Sequence, residues 1–264
     1  MPVLKLYSGF ALAPTGVEIN VANCVGDSNV IFNTPEATDI YLLSSWSLLQ
    51  AAGFAHIRSP RMHDNVVGLL RNFEAAGYDE ISPIGTFQKL YPSDTLQISV
   101  LSASGAGVYE LINALIYYSD LPGASARLET WDSVKTKIKN IVIVPILITP
   151  GVTSDYSGVR DIRADFDPFK GETDYALLGY KSQALSGAIR WYGPDTANTG
   201  LGGPLDPFLL RFLSSWFVRL SEMTGLPTIP IINSSNKFST FIDTFGNDIA
   251  APFIVDQIFG ELSS

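Results

Sequence analysis

Residues 186–204 read SGAIRWYGPDTANTGLGGP, an apolar segment followed by Gly193, Gly200, Gly202 and Gly203. Glycines after a strand-like run are the raw material of a phosphate cradle, because backbone N–H groups close on phosphate oxygens only where side chains are absent. A Walker loop also needs a Lys that reaches the β and γ phosphates, and Gly193–Gly203 contains none. A dinucleotide fingerprint built on Gly200 and Gly202 needs a third glycine where Leu205 stands, and Asp206 follows as an anion at the phosphate position. The stretch therefore reads as a strand-to-helix corner, its glycines letting the chain turn.

His56 and His63 are the only histidines; they flank Arg58, Pro60 and Arg61, with Asp64 adjacent. Any Ser-His-Asp triad or histidine-ligated zinc has to use one of them. The chain has no H-E-x-x-H, C-x-x-C or G-x-S-x-G. The segment reads as a polar loop forming ion pairs at an interface. Asp161, Asp165, Asp167, Glu172 and Asp174 offer hard oxygen ligands at calcium-like spacing. A calcium loop needs Gly at its sixth position and Glu at its twelfth. Counting from Asp165 these are Lys170 and Ala176; counting from Asp161, Glu172 fits but the sixth is Phe166. The run reads as a solvated acidic linker, with metal binding left open. The lone Cys24 reads as a small buried residue. No catalytic residue and no cofactor is expected.

The elements that would hold these residues come from a chain of 264 residues, 46% hydrophobic and 16% charged. Its longest apolar run, IVIVPILIT (141–149), is one strand long and falls short of a membrane span. One cysteine excludes an intrachain disulfide framework, and the N-terminus lacks the pattern of a signal peptide, so synthesis in a cytoplasm is expected. The net charge of −9, with no basic run, argues against direct nucleic-acid binding, which requires clustered Lys and Arg to displace counterions.

The chain also rhymes with itself. Asp39 opens DIYLLSSWSLLQAAGFAHIRSPRMHDN and Asp174 opens DYALLGYKSQALSGAIRWYGPDTAN, each running to a closing Asn at 65 and 198. The spacing of Val66, Leu69, Leu70 and Phe73 predicts a helix over 66–76, and DPFLLRFLSSWFVRLSEMT predicts one over 206–224, with Asp206 as N-cap, Pro207 at the first position and Gly225 closing it. A connecting helix is expected over 130–139 (TWDSVKTKIK). Elsewhere short β-branched and aromatic runs punctuated by Pro and Gly predict strands, among them LKLYSGFAL, TLQISVLS, NIVIVPILIT, GAIRWYG and FSTFIDTF. The expectation is a mostly β chain of two tandem sandwiches, each with an inserted helix: residues 1–128, a connecting helix 129–140, and 141–264.

Those rhyming halves, each placing a helix between strands, resemble the double jelly-roll major capsid proteins of tailless icosahedral phages with an internal membrane, the lineage of tectiviruses, corticoviruses and adenovirus hexons. The resemblance spans nearly the whole chain and rests on architecture rather than a diagnostic motif. It implies two jelly rolls, no enzymatic activity, and a homotrimeric, pseudo-hexagonal capsomer in a virion assembled in the host cytoplasm. The partners it implies are neighbouring capsomers, minor capsid or vertex proteins and an internal viral membrane, with no direct contact to nucleic acid. Trimer and lattice contacts are then expected on the loops carrying His56, Arg58, Arg61, His63 and Asp64, and Asp195 and Asn198. The alternative is a carbohydrate-binding or carbohydrate-active two-sandwich protein, with Tyr and Trp as stacking platforms; a membrane-active toxin of mixed fold is a third reading.

Overall fold

The computed structural model describes residues 1–12, 19–20, 22–23, 29–32, 34–48, 53–60, 69–73, 87–102, 109–148, 160–161, 172–182, 187–205, 213–243 and 253–263. The chain is mostly β and divides into two units, Leu6–Pro122 and Met1–Lys5 with Gly123–Ser264.

In chain order the first ten strands are β1 (Val3–Leu12), β2 (Ile19–Asn20), β3 (Ala22–Asn23), β4 (Asn29–Ile31), β5 (Ile40–Leu48), β6 (Gly53–Arg58), β7 (Leu69–Phe73), β8 (Gln88–Leu90), β9 (Thr95–Ser102) and β10 (Tyr109–Tyr118). They form one sheet of order β3-β1-β10-β5-β8 and another of order β2-β9-β6-β7, with β4 also on β9. Alternate residues of both sheets meet in one core: Ile40, Leu42, Leu90, Ala114, Ile116 and Tyr118 from the first, Ile57, Leu96 and Ile98 from the second. This period of two places one face of each strand in the core; on β10 the other face, with Asn113, Leu115 and Tyr117, is buried as well.

The second unit contains β11 (Leu128–Glu129), α1 (Trp131–Val134), β12 (Ile138–Ile148), β13 (Arg160–Asp161), β14 (Asp174–Ser182), β15 (Gly187–Tyr192), β16 (Leu201–Leu205), α2 (Trp216–Thr224), β17 (Ile229–Asn233), β18 (Ser239–Asp243) and β19 (Phe253–Leu262). Its sheets have the orders β11-β17-β14-β19-β12 and β13-β18-β15-β16. The faces of these two sheets are joined by Trp191 of β15, whose indole Nε1–H donates to Oε1 of the fully buried Gln257 on β19 (2.7 Å). Tyr180 of β14 and Phe217 of α2 pack edge-on to the same indole, with centroids 5.2 and 5.7 Å away. The division between units falls inside β1. Val3 and Leu4 are buried, and Thr199 Oγ1 donates to the Leu4 carbonyl (2.9 Å) within the second unit.

The pairing follows one scheme in both units. In the second, β12 pairs with β19, β13 with β18, β14 with β17 and β15 with β16; β14 also joins β19 and β15 joins β18. In the first, β1 neighbours β10, β2 pairs with β9, β5 with β8 and β6 with β7; β10 also joins β5 and β9 joins β6. The rhyming segments after Asp39 and Asp174 therefore form corresponding strands, β5 with β6 and β14 with β15.

Two sequence expectations change, and a third holds over its described part. Within the helix expected over 66–76, residues Leu69–Phe73 are strand β7, paired with β6 from Ile57↔Leu69 to Gly53↔Phe73. Five residues with Leu69, Leu70 and Phe73 satisfy either period, and the neighbouring strand supplies the backbone partners that decide it. The connecting helix is the single turn α1, N-capped by Thr130 Oγ1, which accepts from the Ser133 amide (3.3 Å). From Ile138 the chain is β12, because the β-branched run that follows pairs with β19. In the helix expected over 206–224, the described part is regular from Trp216 and ends at Gly225 (φ 70°); Asp206 and Pro207 lie outside the described residues.

The glycine cluster also differs from the expected corner. Gly202 and Gly203 lie in β16, opposite Arg190 and Ile189. A Cβ on Gly203 would collide with the Tyr180 hydroxyl and meet the Trp216 indole nitrogen at 3.0 Å. Glycine at 203 makes room for two interior aromatic side chains, and Tyr180 uses that room to donate to the Pro204 carbonyl (2.5 Å).

Candidate interface residues

His56 and Arg58 were expected in a loop and stand on β6. Ile57 between them is buried in the core, so the two polar side chains share the opposite face. Arg58 Nη2 lies 2.9 Å from His56 Nδ1 and 3.5 Å from Ser99 Oγ on the adjacent β9. Beyond the strand, the buried Ser59 hydroxyl donates to Asp94 Oδ2 (3.4 Å). Arg61, His63 and Asp64 lie outside the described residues.

Asp195 and Asn198 lie in the turn after β15. Asp195 is 7% exposed and points inward: Oδ2 accepts from the Asn233 amide and from Asn236 Nδ2, both at 2.9 Å, and its carbonyl accepts from the Arg127 amide (2.7 Å). The side chain fastens this turn to the end of β17. Asn198 is exposed and lies in the left-handed region (φ 52°), a conformation asparagine tolerates better than most residues, and its amide donates to the Gly193 carbonyl (3.1 Å).

Next to Asp195 lies a network that inspection of the sequence missed. Arg127 forks onto Asp174, Nη1 to Oδ1 at 3.0 Å and Nη2 to Oδ2 at 2.6 Å, while Asn233 Nδ2 donates to Oδ1 (2.9 Å). The hydrogen bonds from Arg127 hold the Asp174 carboxyl below its ordinary value, and the same pair raises Arg127. Asp39, the rhyming residue of the first unit, is also held by a base: Lys89 Nζ lies 2.9 Å from Oδ1. The sequence signal was the shared Asp at the head of each repeat; the basic partner came from a different element each time.

This network borders a cleft of about 580 Å³ within the second unit, lined by Arg127, Lys137, Lys139, Glu129, Glu172 and Asp174 among others. Its charges are mixed in sign, and no group of three His, Cys, Asp or Glu residues able to hold a metal occurs among the described residues. Of the acidic run, Asp161 is in β13, Asp174 opens β14, and Asp165 and Asp167 lie outside the described residues. On the first unit, Tyr41 stacks on the partly exposed Phe87 (centroids 5.1 Å, 13° between planes) and lies 6.4 Å from Tyr117. No helix among the described residues is long and apolar enough to cross a membrane.

No protein-family model and no curated protein matches the chain. A solved structure, "Crystal structure of PBSX exported protein XepA", is similar over 98% of this chain and 86% of that one, with 8% identity and a TM-score of 0.25. A likeness that weak carries no argument about fold or function.

Proposed function

We propose that this chain is a structural subunit of a viral shell: a major capsid protein of two jelly rolls, associating as a trimeric, pseudo-hexagonal capsomer. The supporting observation is the repeated pairing scheme. Taking eight strands of each unit in chain order, the first pairs with the eighth, the second with the seventh, the third with the sixth and the fourth with the fifth. The eighth also joins the third, and the seventh joins the fourth. A long antiparallel ribbon rolled in this way is a jelly roll, the fold of capsid and lectin domains and of cupins. In this reading two such rolls in one acidic chain, whose sequence has no basic run, suit a rigid building block that does not pack directly on nucleic acid. In this reading the protein is no enzyme, and its partners are copies of itself, neighbouring capsomers and vertex proteins. Negative-stain microscopy of the pure protein tests it: threefold particles with a pseudo-hexagonal outline support the proposal, and a field of single small particles counts against it.

A second reading, carbohydrate binding, is favoured by the Tyr41–Phe87 stack, since jelly rolls also serve as lectins and aromatic faces dock apolar ligand surfaces. A monomer whose tyrosine fluorescence responds to oligosaccharide, and whose response is lost in Phe87→Ala, would support that reading over the first.

A further inference from the structure

β12 is the terminal strand of its sheet among the described residues, and its outward positions from Ile141 to Leu147 are apolar. Ile141, Ile143 and Leu147 are 49%, 52% and 57% exposed, and Ile254 on β19, opposite Leu147, is 38% exposed. The intervening Val144 and Ile146 are buried, so the alternation is regular and both faces of the strand are hydrophobic. A solvated antiparallel face normally carries polar side chains at such positions. In the first unit, the outward positions of β10, which corresponds to β19, namely Asn113, Leu115 and Tyr117, are 0%, 0% and 5% exposed.

We propose that this strip is a self-complementary contact through which a second copy of the chain packs face to face, antiparallel, about a two-fold axis between Ile141 and Ile143. That axis sets Ile143 of one copy against Ile141 of the other. It also carries Lys139 of each copy to position 145 of its partner, where Pro145 lies opposite Asp256 on β19. The lysine of each copy thus meets the carboxylate of the other. The four exposed side chains leave roughly 350 Å² of apolar surface, the size of a monomer's largest patch and nearly half of the ~800 Å² per partner of a standard interface. Lys137, Lys139 and Lys181, which lies opposite Asp256 on β14, supply a polar rim. Contact by the face is favoured over strand addition, because Pro145 removes an N–H donor from the middle of the open edge. A net charge of −9 and a carboxylate within the strip disfavour an anionic lipid surface as occupant.

The contact rests on the capsid reading, in which it joins neighbouring capsomers. Sedimentation velocity on the full chain across a concentration series tests it. Wild type is expected to double the mass of its basic particle as concentration rises. Lys139→Glu and Asp256→Lys should each weaken that doubling by about tenfold, and the charge-swapped double variant should restore it to within about threefold of wild type. Ile143→Thr, which keeps a β-branched residue, should weaken doubling while leaving the circular dichroism melt unchanged. No doubling in wild type, unaffected single variants, or a double variant without rescue would each overturn the proposal. A fixed threefold mass that never doubles removes this contact and leaves the capsomer intact; doubling from a single-chain particle keeps the contact and removes the trimer.

Discussion

The indole nitrogen of Trp191 and the side-chain oxygen of Gln257 meet at 2.7 Å in the interior of the second unit, joining β15 of one sheet to β19 of the other. Thr240 Oγ1 donates to the same oxygen at 3.3 Å. Gln257→Leu leaves the buried indole N–H without its acceptor and should cost about 1–3 kcal/mol in urea unfolding. Adding Trp191→Phe removes the orphaned donor, so the double variant should lose less than the two single losses together. Additive losses would show that the hydrogen bond does not tie the sheets.

Gly203→Ala places a methyl group against the Tyr180 hydroxyl and should destabilise the second unit by about 1–3 kcal/mol through overpacking. Tyr180→Phe in the same chain removes the colliding oxygen and should recover part of that loss. The urea midpoints of the two variants check this directly.

The Arg127–Asp174 pair imposes a pH dependence of known sign. Asp174 is held below its ordinary value in the folded protein, chiefly by the hydrogen bonds from Arg127. Its stabilisation is therefore complete above the unfolded-state value of 3.8 and is lost as pH falls through the lower, folded value. The two side chains are 42% and 34% exposed, so after solvent screening the pair is worth no more than about 1 kcal/mol. Asp174→Asn should lower the midpoint at neutral pH and converge with wild type in acid; a constant gap across that range would contradict the assignment.

Tyr117 carries the opposite sign. Burial pushes its phenol up to about 12 from 10.0, so the stability linked to its neutral form is complete below pH 10 and disappears as pH rises through about 12. Phenolate absorbance should show this group titrating late, and Tyr117→Phe should remove that step and flatten the alkaline loss of stability over the same window.

Much of the architecture was legible in the sequence because strand composition and its Pro and Gly punctuation are local. GAIRWYG, FSTFIDTF and NIVIVPILIT announce strands by their β-branched and aromatic residues, and the Asp39 and Asp174 segments announce corresponding strands. The misassigned helix over 66–76 shows where locality ends. Leu69, Leu70 and Phe73 fit both periods, and only pairing with β6 selects the strand. The polar sites were less legible for the same reason. Arg127 reaches Asp174 across 47 residues of sequence, and Asp195, apparently a loop residue, folds inward onto Asn233 and Asn236. Glycines 202 and 203 suggested a turn because a strand that makes room for aromatic rings has the same local composition as a bend.

The most direct test of a shell-forming subunit is the mass of the pure protein in solution, measured by light scattering during size-exclusion chromatography. A trimeric capsomer requires a stable species at three times the chain mass of 28.6 kDa, about 86 kDa, persisting on dilution as large apolar interfaces do. A species fixed at the single-chain mass at every concentration would contradict it.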